Sequence, residues 1–148
     1  MIKKYLVLIL CFSFQQVESA DKSEILLAMD KYNEAFILAD YHQIIENFTF
    51  PVSIITSDRM LSIDTKFGLR FVYKKIRGEL PEFYSYSKWN NIDIQVMDKN
   101  IAIVRASFSR YDKDEKKFYD GNGIYQLKKI DKVWKIFSLI PFQSIETL

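Results

Sequence analysis

The spacing of apolar residues changes once along the chain, and the change divides it into a helical part and a strand-rich part. Between Asp21 and Asp40 apolar residues recur every three or four positions, as on one face of an α-helix. From Tyr84 onward apolar and polar residues alternate, which is typical of strands with one buried face. This order predicts an α+β fold in which three helices cover one face of a curved, mostly antiparallel sheet.

Capping and turn residues define the ends of the two shorter helices. Asp40 is placed to cap a second helix, which Pro51 prevents from continuing. A third helix is predicted to begin near Asp64 and to end at Gly78. We expect five apolar residues on the buried side of this third helix: Phe67, Leu69, Phe71, Val72 and Ile76.

Six strands are predicted from β-branched runs, alternation and turn residues. They are Val52–Thr56, Met60–Ile63, a strand from Tyr84 to the turn at Asp98, Ile101–Tyr111, Phe118–Leu127 and Val133–Ile140. In the fifth of these strands Gly121 and Gly123 suggest a β-bulge.

The composition excludes several classes of function. The chain has 148 residues, one histidine, one cysteine and a formal net charge of +2. One histidine and one cysteine cannot supply the usual zinc ligands, so we expect no metal site and no cofactor. His42, the only histidine, is predicted to face solvent on the short second helix. The near-neutral charge argues against a nucleic-acid partner.

The N-terminal residues have the three-part layout of a secretory signal peptide. Lys3 and Lys4 precede the apolar run Leu6–Phe14, and small and polar residues follow it. We predict a signal peptide over residues 1–20, cut after Ser19 or, as an alternative, after Ala20. An uncleaved anchor is the remaining interpretation. The expected product is one exported domain, residues 21–148, periplasmic or secreted and not attached to a membrane.

Three motifs together resemble the SnoaL-like branch of the nuclear transport factor 2-like superfamily, which includes ketosteroid isomerase. They are KYNEAFILADYHQIIENF (residues 31–48), FPVSIIT (residues 50–56) and the closing VWKI (residues 133–136). The resemblance implies that a bent sheet and the three helices form a cone around a pocket. Members of this superfamily include enzymes and non-catalytic domains, so the resemblance does not supply a function.

The chain matches the ketosteroid isomerases at one catalytic position and differs from them at two others. It places Tyr32 where ketosteroid isomerases carry the tyrosine that stabilises an oxyanion. The position of the catalytic base falls on Thr56, and that of the second aspartate falls near Gly123. Asp120 is a neighbouring candidate if a bulge shifts the register. We therefore assign no catalytic residue.

Four residues are predicted to bind a ligand in the pocket: Tyr32, Phe36, Arg105 and Tyr125. Arg105 shares strand parity with Ile101 and Ile103, which would place it on the concave face of the sheet, where it could bind a carboxylate or carbonyl oxygen. The alternative is that Arg105 reaches the surface and forms an ion pair.

Three functions compete on these grounds. The first is an exported domain that binds a small apolar or amphipathic molecule in a conical pocket. The second is a non-catalytic interaction module that forms a homodimer through its sheet. The third is a lyase or isomerase that uses Tyr32 with Arg105 or Asp120.

Overall fold

Three helices and six strands form the protein in the computed structural model, which describes the backbone of residues 2–143 and the side chains of residues 19–143. In chain order the elements are α1 (Ile2–Ile37), α2 (Tyr41–Glu46), β1 (Phe48–Ile55), β2 (Met60–Ile63), α3 (Lys66–Gly78), β3 (Tyr84–Asp98), β4 (Ile101–Asp112), β5 (Lys117–Ile130) and β6 (Val133–Phe142).

The six strands pair into one sheet in the order β2-β1-β6-β5-β4-β3. β1 runs parallel to β6, and every other neighbouring pair of the described strands is antiparallel. The α+β class and the mostly antiparallel sheet predicted from the sequence are confirmed. The sheet is open, and its edges are β2 and β3.

The hydrophobic core lies between one face of the sheet and the three helices. On β4 this inner face carries Ala102, Val104 and Ala106, all of them buried. The helices contribute Met29 from α1 and Leu69 from α3, both of them fully buried. Burial of this apolar surface, at about 25 cal/mol per Å², is the main stabilising contribution in a chain whose described part has no disulfide.

The start of α2 follows the sequence closely, whereas β1 begins earlier than predicted. The side chain of Asp40 accepts a hydrogen bond from the Gln43 backbone N–H, which makes Asp40 the N-cap of α2. β1 starts at Phe48 rather than at Val52 because Phe48 pairs with Ile136 of β6. Parallel pairing with a strand almost ninety positions later cannot be read from local residue preferences.

The predicted buried face of α3 is wrong for two of its five residues. Phe67 is 81% exposed and Phe71 is 67% exposed, whereas Leu69 is buried. Each α-helical residue turns by about 100°, so Phe67 and Phe71 lie on the opposite side from Leu69. The face that packs inward follows the spacing i, i+3, i+4 and i+7 and consists of Leu69, Val72, Tyr73 and Ile76.

The two glycines of β5 do not mark a bulge. The register of β5 shifts between Arg110 and Tyr111 on the β4 side and between Gln126 and Leu127 on the β6 side, away from both glycines. Gly121 instead leaves room for the ring of Phe108, because a Cβ there would lie 2.5 Å from the Phe108 Cζ atom. The bulge prediction is therefore wrong, and the glycine is required by side-chain packing.

An ion-pair cluster ties the middle of α1 to the end of β5. The Nζ atom of Lys129 lies 2.7 Å from Oδ1 of Asp21 and 2.8 Å from Oε2 of Glu24. Both predicted cleavage sites, after Ser19 and after Ala20, come just before this cluster.

The signal peptide and its cleavage stay predictions. In the structure α1 is continuous from Ile2, and Met1 and residues 144–148 lie outside the described residues. Within the described part of the chain, no helix combines the length and the apolar character needed to span a bilayer.

Replacing Lys129 with methionine is expected to lower the free energy of unfolding by about 1 to 2 kcal/mol, because Asp21 is buried and would lose its charged partner. Lys129 donates hydrogen bonds to Asp21 and Glu24, and these raise its pKa, with the larger contribution from Asp21. The stabilisation is therefore complete below about pH 10.4, the unperturbed lysine value, and is lost as the pH rises through the folded-state value.

Denaturant unfolding of Lys129→Met and of Lys128→Met measures the effect. Lys128 is exposed, so its substitution should change stability by less than about 0.5 kcal/mol. Equal stability of the two variants would contradict a stabilising role for the cluster.

Candidate ligand-binding cavity

A cavity of about 470 Å³ lies between α1, α3 and the inner face of the sheet. Its volume is within the range of small-molecule sites, about 300 to 1,000 Å³. Its wall is mainly apolar and aromatic, with side chains from five elements: Tyr32, Phe36, Ile54, Trp89, Phe108 and Tyr125.

Three buried tyrosines meet at one side of the cavity. Tyr32 comes from α1, Tyr73 from α3 and Tyr125 from β5, and all three line the cavity. The hydroxyl oxygens of Tyr32 and Tyr73 lie 3.0 Å apart and share one hydrogen bond. The Tyr32 ring meets those of Tyr73 and Tyr125 edge to face, with centroids 6.2 Å and 5.8 Å apart. The cluster connects both helices to the sheet through rings and one polar contact.

Burial raises the pKa of each hydroxyl in this cluster. For Tyr73 and Tyr125 the pKa is well above its usual value, and the neighbouring Tyr32 raises both further. For Tyr32 the increase is partly offset by its hydrogen bond with Tyr73 and by the positive charge of Arg110. All three are therefore neutral hydrogen-bonding groups at neutral pH.

Arg110 of β4 lines the cavity and lies among aromatic rings. Its guanidinium carbon lies 4.8 Å from the Tyr119 ring centroid, 5.2 Å from that of Phe108 and 5.7 Å from that of Phe36. These are cation–π distances. Burial lowers the pKa of Arg110, although a guanidinium remains protonated at neutral pH.

Exposed residues on one rim mark the mouth of the cavity. Phe71 and Lys75 lie on the same side of α3, Glu79 directly follows this helix, and Arg59 lies just before β2. All four line the cavity and are exposed to solvent. Lys75 and Glu79 approach within 4.0 Å of each other, so their charges partly compensate at the rim.

Three of the four predicted ligand-binding residues line the cavity and one does not. Tyr32, Phe36 and Tyr125 contribute to its wall. Arg105 points away from it: the side chain is 58% exposed and its Nη1 atom lies 3.7 Å from Oδ2 of Asp93. Of the two alternatives for Arg105, the exposed ion pair is therefore correct and the concave position is not, because the even-numbered residues of β4 face the core. Arg105 keeps the parity of Ile101 and Ile103, and that row is the outer face.

The residues considered for catalysis are dispersed. Thr56 lines the cavity, but Asp120 is on the outer face, where it accepts a hydrogen bond from Ser109 and pairs with Lys117 at 2.8 Å. His42 is exposed on α2, as expected. In the described part of the chain, no three metal-binding side chains gather at one place. Neither Arg105 nor Asp120 can therefore act with Tyr32 on a molecule in the cavity.

Sequence reasoning missed Tyr73 and Arg110 as residues of the site. A usable signal was present in β4. The odd-numbered row Ile101 and Ile103 ends in a charge at Arg105, whereas the even-numbered row stays small or apolar through residue 108. The uninterrupted row is the better candidate for the core face, and Arg110 continues it.

A family model described as NTF2-like protein (DUF6841) matches residues 23–144, most of the chain. The chain is an NTF2-like protein. The match leaves its placement in the SnoaL-like branch a prediction.

Solved structures with the same fold agree with this membership. This NTF2-like chain resembles a cystatin-like-fold protein of unknown function from Nostoc punctiforme, with a TM-score of 0.71 and 14% identity over 82% of this chain and 90% of the other. It also resembles a candidate scytalone dehydratase from Novosphingobium aromaticivorans, with a TM-score of 0.69 and 16% identity over 88% and 89% of the two chains. At such identities the likeness concerns the fold alone. No curated protein sequence matches the chain.

Proposed function

We propose that this NTF2-like protein binds a small, largely apolar molecule in a cone-shaped chamber enclosed by its helices and sheet. The observation that carries the proposal is the cavity of about 470 Å³ whose wall is mostly aromatic and aliphatic. An apolar molecule gains about 25 cal/mol per Å² when it leaves water for such a wall. Phe71 at the mouth extends the apolar surface to the outside.

The polar groups of the wall suit hydrogen bonding better than proton transfer. Among the described lining residues there is no histidine or cysteine, and Glu79 at the mouth is the one carboxylate. Burial keeps the hydroxyls of Tyr32, Tyr73 and Tyr125 protonated at neutral pH, so none of them serves as a general base there. Binding is therefore better supported than acid–base catalysis.

A homodimer through the outer face of the sheet has weaker support. The exposed large apolar residues of the described chain lie on or directly after the helices, or near the start or end of strands, as with Val133 and Phe142 of β6. The middle of the outer face carries the ion pair between Arg105 and Asp93. Desolvating this pair would reduce the gain from burying that face.

We further propose that the protein works after export as the domain of residues 21–148. The signal-like N-terminus motivates this proposal, and the Asp21–Lys129 ion pair supports it because the first predicted mature residues already contribute to the fold. N-terminal sequencing of the protein recovered from outside the cytoplasm should begin at Ala20 or Asp21. An intact N-terminus on protein recovered there would contradict cleavage.

A neutral fluorescent dye, N-phenylnaphthylamine, tests the binding proposal. The wild-type protein should bind the dye, and its fluorescence should rise as the dye leaves water. Val72→Phe should weaken dye binding about tenfold or more, because the extra ring occupies space that the dye would fill. Titration of the dye at fixed protein concentration measures both affinities.

Val133→Phe is the matched control, since Val133 is half exposed and does not line the cavity. It should bind the dye as the wild type does. Thermal unfolding should show all three proteins folded. Absence of dye binding by the wild type, or equal binding by Val72→Phe, would contradict the proposal.

A further inference from the structure

Arg110 differs from the other partly or fully buried cations of the described chain in having no polar partner. Lys129 has two carboxylates, and Arg77 donates a hydrogen bond to the backbone carbonyl of Ile37 at 3.3 Å. Within the described residues Arg110 makes no ion pair and no hydrogen bond, and its Nε atom is buried. Its contacts are aromatic rings, two of which, Phe36 and Phe108, line the cavity.

An unpaired cation in this position is costly. Removing a charge from water is compensated when an opposite charge or a set of acceptors replaces the water. Cation–π contacts with rings such as Phe36 and Tyr119 return part of that cost and hold the guanidinium in place. They leave the buried Nε–H without an acceptor, and Arg110 lines the cavity. A ligand with a hydrogen-bond acceptor would supply the partner that Arg110 lacks.

The rest of the wall also offers donors. The indole Nε1 atom of Trp89 is buried without a hydrogen-bond partner, and Trp89 lines the same cavity. The hydroxyls of Tyr32 and Tyr73 share one hydrogen bond, which leaves one hydroxyl proton free to donate. The charged residues that line the cavity are three cations, Arg59, Lys75 and Arg110, and one carboxylate, Glu79. These donors and positive charges suit a ligand that carries a negatively charged hydrogen-bond acceptor.

We propose that Arg110 binds the carboxylate of an apolar, singly charged organic acid whose hydrocarbon body fills the aromatic part of the cavity. This inference rests on the proposed binding function and names its ligand class. A guanidinium presents parallel N–H donors that match the two oxygens of a carboxylate. One guanidinium neutralises one negative charge, so a phosphate dianion would leave an uncompensated charge in an apolar site.

Three naphthalene derivatives that differ in one group test the proposal by displacing N-phenylnaphthylamine from the wild-type protein. Naphthylacetic acid is the anion, naphthylethanol the neutral analogue and naphthylethylamine the cation. At neutral pH the acid should displace the dye about tenfold more strongly than the alcohol, as expected for one charge-assisted pair, and the amine should be weakest. Below the pKa of the acid this preference should disappear.

Two variants with the same substitution locate the effect. Arg110→Met keeps the length and removes the charge, so the acid should lose its about tenfold advantage while the alcohol still binds. Arg105→Met removes an arginine from the outer face and should leave the preference unchanged. Arg110→Lys keeps a charge and should retain part of the preference. If the variants at position 110 do not fold, the wild-type protein still tests the proposal, because an acid that gains nothing over the alcohol overturns it.

The outcomes separate this proposal from the one it rests on. If the wild type binds neither the dye nor any naphthalene, the proposed function fails, and this inference fails with it. If the dye and the alcohol bind but the acid gains nothing, the assignment of Arg110 is overturned and the cavity remains a binding site for neutral molecules. A preference that survives in Arg110→Met would also overturn it.

Discussion

Raising the pH above about 10 is expected to unfold the protein steeply, because Tyr32, Tyr73 and Tyr125 ionise in the unfolded chain before they ionise in the folded protein. The folded state holds the three protons more tightly than the unfolded state does. The free energy of unfolding is therefore unaffected below the unfolded-state pKa and falls above it. Three protons released on unfolding correspond to a slope approaching about 4 kcal/mol per pH unit.

Near-ultraviolet absorbance of tyrosinate and far-ultraviolet circular dichroism, followed in one alkaline titration, measure this effect. Part of the tyrosinate signal from the nine tyrosines should develop only as the secondary structure is lost. Tyr73→Phe removes one of the three ionising groups and should reduce the slope by about a third. It also removes the hydrogen bond with Tyr32, so the variant should be less stable at neutral pH by about 1 kcal/mol. Complete ionisation with the fold intact would contradict the burial of the cluster.

Replacing Gly121 with alanine is expected to destabilise the protein by about 1 to 3 kcal/mol, the usual cost of forcing atoms into a packed core. The added Cβ would lie 2.5 Å from Cζ of Phe108 and 2.7 Å from Cε1 of Tyr119, so at least one ring must move. Both rings pack on the guanidinium of Arg110. Dye binding in the cavity should weaken together with stability.

The same substitution at Gly78 is a matched control with the opposite expectation. Gly78 is the last residue of α3, and a Cβ there would have no atom within 4 Å. Gly78→Ala should raise the free energy of unfolding by about 0.4 to 1 kcal/mol, because alanine loses less backbone freedom on folding. Denaturant unfolding of both variants measures the contrast. Equal effects at the two positions would show that space around Gly121 is not limiting.

Local signals in the sequence were sufficient for much of the fold. Asp40 caps α2 because its carboxylate lies three positions before the Gln43 backbone N–H and accepts a hydrogen bond from it through local geometry alone. The strand Met60–Ile63 was predicted with the bounds that it has in the structure. The α+β class followed from the change of period at Tyr84, where β3 begins. Each of these features depends on residues within a few positions of one another.

The candidate site was predicted less well because its residues are defined by contacts between distant parts of the chain. Alternation in β4 shows that Arg105 and Arg110 face opposite sides, but not which side is covered by helices. The purpose of Gly121 depends on a ring of the neighbouring strand, that of Phe108. Tyr73 contributes its hydroxyl to Tyr32, 41 positions earlier in the chain. Such partners become visible when the strands and helices are placed in space.

The position of β6 in the sheet determines when the sheet can be completed during synthesis. β6 separates the hairpin of β1 and β2 from the three strands β3, β4 and β5, and it is the last of the described strands in chain order. Until β6 has left the ribosome, the two groups of strands share no backbone hydrogen bonds, and the sheet is incomplete. The sheet can therefore be completed only after β6 becomes available to pair with both groups of strands.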